Sequence, residues 1–170
     1  MKTSHHLNGL AKRLRPAGAA ALALALLFVV ALPLAVSRAA DPPLVVIVAA
    51  TSPLQDISRG ALRRAFLGEP TGGPGGRLIP LNQPPATPAR TAFDKAVLGL
   101  EGDAVAQFWI DQRIRGQAGA PRAIPTALLP RVVSQLAGAI GYVRLNEVAA
   151  GVKVVTIDGK KPGDRGYPLP

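Results

Sequence analysis

The chain has no cysteine, and its only two histidines, His5 and His6, lie at its start, so residues 41–170 contain neither residue type. That double absence removes disulfides, thiol chemistry, Ser-His-Asp and Cys-His catalysis and the usual His/Cys zinc sites from what this region can carry. Acidic residues are scarce as well, 10 against 20 Lys+Arg. Glu101 and Asp103 flank a glycine at a helix start, where capping accounts for them, and no acid–base pair announces itself. Aromatics make up only 4% of the chain, and Arg63-Arg64 and Arg113/Arg115 are scattered pairs rather than a basic stripe. Nucleic acid is therefore not an expected partner. What remains for chemistry is backbone amides, hydroxyls, carboxylates, Asn/Gln and Arg/Lys. The expectation is a non-enzyme with no cofactor and no metal.

Charge is unevenly distributed. Five basic residues (Lys2, Lys12, Arg13, Arg15, Arg38) and no acidic ones fall in the first 40 positions, which leaves 15 against 10 in the rest. A basic start, the uncharged Ala/Leu-rich run Ala17 to Val36 and the small residues around Arg38 read as an export signal. The run is also long enough to serve as an uncleaved membrane anchor. The expected organisation is a signal peptide or anchor over 1–39 and a single domain over 40–170. That domain would be periplasmic or otherwise exported, meeting the membrane only through an uncleaved leader.

About 130 residues suffice for a core without staples. Leu44 to Val48 is a wholly apolar, β-branched run, which predicts a strand buried on both faces. Ser58 predicts a helix N-cap with Ile57 and Leu62 as a hydrophobic staple, and Gly68 ends that helix. Thr71 to Gly76 reads as a flexible turn, since no Gly-Lys-Ser/Thr follows its glycines. Arg77 to Asn82 predicts a second strand. Thr87-Pro88 opens a helix with Ala89, Ala92, Phe93, Ala96 and Val97 on one face. Asp103 is expected to cap a third helix with Val105, Phe108 and Trp109 turned inward, so Trp109 reads as core. Gly116 to Ala123 is a loop, and Thr126 to Leu136 a further helix with Pro130 in its first turn. Ala139 to Val143 and Val152 to Ile157 are strands, and Lys160 to Pro170 an extended tail. This order predicts an α/β domain, a mixed sheet with helices packed on its faces.

One constellation stands out as a ligand site: Asn82 at a strand end, the loop to Ala86, Thr87 at the helix start and Arg90 in its first turn. Free N–H groups, a hydroxyl and a guanidinium there favour an anion. Thr51 and Ser52, after the first strand, form a second hydroxyl pair that could converge on the same pocket, or be only a turn before Pro53.

Several segments taken in order carry a family resemblance. They are Thr51-Ser52-Pro53-Leu54, Ala65-Phe66-Leu67-Gly68, Ile79-Pro80-Leu81-Asn82, Phe93, Leu98-Gly99, Phe108-Trp109, Gly138-Ala139-Ile140-Gly141-Tyr142-Val143 and Gly166-Tyr167-Pro168-Leu169. Together the chain resembles the substrate-binding protein of phosphate ABC transporters over nearly all of residues 44–170. The resemblance implies the type-2 periplasmic-binding fold, in which two α/β lobes clamp an oxyanion and pass it to a membrane permease; this chain has room for one lobe. The family's Ser-Gly-Thr falls on Thr87-Pro88-Ala89, which keeps one hydroxyl, and its upstream Arg and Asp region is Asn82-Gln83-Pro84-Pro85. The expected function is an exported solute-binding-like protein for phosphate or a related oxyanion, held by Thr51, Ser52, Asn82, Thr87 and Arg90, with an ABC permease as partner. The alternative is a cell-envelope interaction module that keeps the fold and has lost its ligand.

Overall fold

The computed structural model describes residues 41–117 and 119–170; the expected leader over 1–39 lies outside the described residues. Leu44–Ala49 forms strand β1, and all six of its residues are buried. An all-apolar, β-branched stretch favours extended backbone, and burial on both faces puts it in the interior of a sheet. It pairs antiparallel with β7 (Ala139–Arg144) on one side and with β8 (Val152–Ile157) on the other. The two-residue β2 (Asp56–Ile57) runs parallel to β8, β5 (Ile79–Asn82) parallel to β7, and β6 (Arg122–Ala123) parallel to β5. The order is β2-β8-β1-β7-β5-β6, the mixed sheet that the element order implied.

Alternation along β1 divides the core. Leu44, Val46 and Val48 face a cluster containing Leu62, Phe66, Phe93 and Tyr142, whereas Val45 and Ile47 face Leu129 and Val133. Helices α1 (Arg59–Phe66) and α2 (Pro88–Phe93) thus cover one face of the sheet and α4 (Leu129–Gln135) the other. Ser58 caps α1, its Oγ accepting from the Ala61 N–H at 3.1 Å. Thr87 caps α2, which widens into a π turn over Asp94–Leu98 and stops at Gly99 in the left-handed region. Pro130 sits in the first turn of α4, where its missing N–H costs nothing. Gly141 lets α4 lie close to β7: a Cβ there would come within 3.2 Å of Val133.

Several expectations need correction. Thr71 to Gly76 is not a plain turn; β3 (Gly72–Gly73) and β4 (Gly76–Arg77) pair as a short hairpin, which takes Arg77 out of β5. The segment Gly116 to Ala123 contributes β6. The further helix begins as a 3-10 turn, Thr126–Leu128, and leaves Leu128 and Leu136 exposed. The tail is not extended but folds back through turns, burying Leu169 in the core and offering the Pro170 carbonyl to the Leu44 N–H at 2.7 Å.

Helix α3 (Asp103–Ile114) departs furthest. Asp103 is its first helical residue and caps nothing; Gly102 is the cap, and none of the helix residues is fully buried. Trp109 is half-buried and outside both core clusters. The apolar residues Ala104, Val105, Ala106, Phe108, Trp109 and Ile110 run around the helix instead of along one stripe, so no single face can be covered.

Candidate functional site

Strand β5 delivers Asn82 and then Gln83 into the interior, at 1% and 0% exposure. Two successive buried amides need partners, and β7 supplies them through Tyr142. The Gln83 Nε2 donates to the Tyr142 carbonyl at 3.0 Å, and the Asn82 amide lies 2.7 Å from the Tyr142 hydroxyl. Tyr142 itself is clamped, stacked on Phe93 with ring centres 3.8 Å apart and flanked by Phe66 at 5.7 Å. Burial drives its phenol pKa well above the ordinary value.

Arg90 enters this network from the first turns of α2. Its Nε donates to Asp94 Oδ2 at 2.6 Å and its Nη1 to the Gln83 carbonyl at 3.1 Å. With the Asn82 amide turned so that its nitrogen donates to Tyr142, its oxygen accepts from Arg90 Nη1 at 3.0 Å and Nη2 at 3.3 Å. One Nη2 proton of the guanidinium is left over. The second Asp94 oxygen, Oδ1, is buried with no hydrogen-bond partner. Burial raises the Asp94 pKa, and the charge of Arg90 beside it opposes that shift only in part.

Thr87 Oγ1 accepts from the Arg90 N–H at 3.3 Å and turns its own proton to the Pro84 carbonyl at 3.1 Å, the shorter of its two acceptor contacts. Pro88 has no N–H, so of the first three helical residues only Ala89 has an uncommitted one. The helix start is therefore poorer in donors than its sequence suggested. Ala86, just before the cap, sits at φ 63°, a strained conformation for a residue with a Cβ.

Above this network is a cleft of about 460 Å³ walled by Ala86, Arg90, Asp94, Leu100, Val105 and Trp109 among others. Hydrogen bonds link Asn82 and Thr87 to Arg90, but of the three only Arg90 lines the cleft. Thr51 and Ser52 lie elsewhere: they line a separate cavity of about 150 Å³ with the β3–β4 glycines and Gly138. Ser52 Oγ there accepts from the Leu54 N–H at 3.3 Å, the turn that precedes and includes Pro53. Residues that sequence reasoning passed over are Asp94, Gln83 and Tyr142. Asp94 left a signal, since it lies four residues after Arg90 on one helical face. Among the described residues no group of His, Cys, Asp or Glu is placed to hold a metal ion.

No protein-family model and no curated protein matches the sequence. Solved structures do. An ABC-type phosphate transport receptor from Vibrio cholerae aligns at 17% identity and a TM-score of 0.56, over 71% of this chain and 48% of the receptor. PstS from Borrelia burgdorferi aligns at 17% identity and a TM-score of 0.54, over 71% of this chain and 49% of PstS. The chain spans about half the length of each. At this identity the likeness establishes the fold alone: the chain is an α/β lobe of the periplasmic-binding-protein kind.

Proposed function

We propose that the chain is a non-catalytic, exported solute-binding-like protein whose cleft takes a protonated oxyanion of the phosphate kind and passes it to a membrane partner such as an ABC-type permease. The observation that carries this reading is the Arg90–Asp94 pair, with side chains 9% and 7% exposed and Asp94 Oδ1 unpaired. A buried acceptor without a donor is costly, and because Oδ1 has almost no accessible surface, a ligand relieves it only by drawing the Asp94 side chain toward the cleft and bringing an O–H of its own. An anion that also accepts from the spare Arg90 N–H meets both demands only if it retains a proton. Hydrogen phosphate does so; sulfate at neutral pH does not. The fold likeness to phosphate receptors supports the same choice. The described residues form one lobe, which alone does not close as a hinged pair does, so this lobe by itself is expected to bind weakly unless a second lobe, whatever its source, completes the cleft.

Calorimetric titration of the purified chain with phosphate and with sulfate, at an ionic strength of about 0.15 M, tests the reading. Arg90→Ala is the wrong variant for it, because removing one member of a buried ion pair costs roughly 3–5 kcal/mol of stability by itself. Asp94→Asn is better: it keeps an oxygen for Arg90 and exchanges the lone acceptor for a donor. The expected outcome is phosphate-selective binding in the wild type and loss of that preference in Asp94→Asn. Equal heats from both anions, or none, would sink it.

The envelope-module reading has its own observation, since α3 shows Ile110 at 52% and Ile114 at 78% exposure while Arg90 is largely consumed within the chain. Absence of any anion effect, combined with cross-linking of Ile114 positions to an envelope protein, would favour it.

A further inference from the structure

Resting on the oxyanion reading above, we infer that the ligand is an organophosphate or phosphonate whose flat apolar substituent lies against Trp109, rather than a bare inorganic ion. Three observations converge on this. The cleft is about 460 Å³, the size of sites that hold small organic molecules, whereas an inorganic oxyanion would fill only the corner beside Arg90 and Asp94. Most of its remaining lining is apolar, with Leu100, Val105, Trp109 and Pro121 among it and Thr91 and Glu101 as polar exceptions. The apolar part makes no polar contact to an anion and strongly favours a substituent that removes it from water.

The second observation is charge. Arg90 is neutralised by Asp94 at 2.6 Å, and Glu101 on the same cleft is paired with Lys95 at 3.0 Å. The fixed charges of the cleft therefore cancel nearly in full, and a small dianion gains little from the field. Affinity must come chiefly from the apolar wall. The third observation is Trp109 itself. Its indole stands roughly perpendicular to the Phe108 ring at a centre distance of 4.9 Å and lines the cleft. An indole lining the cleft suits a planar apolar group laid against it. The phosphoryl head beside Arg90 and the substituent against Trp109 would then share the one cleft that both residues line.

Trp109 is the only tryptophan in the chain, so fluorescence excited beyond the tyrosine absorption band reports on this wall. The experiment compares inorganic phosphate with phenyl phosphate on the purified full chain at about pH 6, where a monoester's phosphoryl group still keeps its proton in about half the molecules. Phenyl phosphate is expected to bind about tenfold tighter than inorganic phosphate and to shift the Trp109 emission. In Trp109→Leu the ratio of the two affinities should fall to about one, and Trp109→Phe should retain part of it. Equal wild-type affinities with unchanged emission would overturn the inference while leaving the oxyanion reading in place. If neither compound binds, the oxyanion reading fails and this one with it. The wild-type comparison decides even where a variant does not fold.

Discussion

Tyr142 and Tyr167, the only tyrosines, are both held by the fold in their neutral form. Burial raises the Tyr167 pKa from 10.0 to about 12, and that of Tyr142 further still. The folded pKa values lie above the unfolded ones, so the stabilisation is fully present below pH 10 and is lost as pH rises through about 12. In an alkaline titration, phenolate absorbance should therefore stay flat near pH 10 and rise together with loss of the circular dichroism of the fold. A smooth phenolate titration near pH 10 with the fold intact would contradict the burial argument. Asp94 has the same sign for the same reason: its raised pKa means that burying its charge opposes folding at neutral pH, an opposition that fades as pH falls through the folded value. At this scale the sequence showed which groups were chemically able. Arg90 was legible as the cationic side chain of the site, but not that a carboxylate one turn on, a backbone carbonyl and an amide would claim most of its donors. Trp109 reads as core in the sequence because a large apolar ring on a helix gains most from burial. Its position on a cleft followed from α3 packing so loosely that none of its residues is fully buried.

Among the elements, the capped helices α1 and α2 follow directly from Ser58 and Thr87-Pro88, because a cap needs only residues within one turn. The β3–β4 hairpin and β6 were invisible because each is two residues long and exists only through its pairing partner. Gly138 joins these levels. It stands at φ 79° where the chain enters β7, and a Cβ there would come within 2.6 Å of the Arg77 carbonyl of the hairpin. Gly138→Ala should accordingly cost about 1–3 kcal/mol, read as a lowered midpoint in urea with unchanged slope. A change below about 0.5 kcal/mol would mean that the hairpin yields freely and does not constrain the end of the sheet.

For the whole molecule, the C-terminal tail closes the domain. Leu169 is 5% exposed within the same cluster as Phe66, Phe93 and Tyr142, and Pro170 is tied to the first strand. Leu169→Ala is expected to cost about 2–4 kcal/mol in urea denaturation, as for other buried leucines. A loss under about 1 kcal/mol would show that the tail only drapes over a core already closed without it. By itself the sequence determined the α/β class, the central position of β1, the two capped helices and the exclusion of His- and Cys-dependent chemistry. These are all local or compositional properties, set by residue type and by spacing within a few positions. Tertiary structure alone decided that Thr51 and Ser52 line one cavity and Arg90 another, that Asp94 and Trp109 meet at a single cleft, and that the tail belongs to the core. The physical reason is that each depends on contacts between residues far apart in the chain, whose direction is fixed only when the sheet order and the packing of helices on its two faces are chosen together.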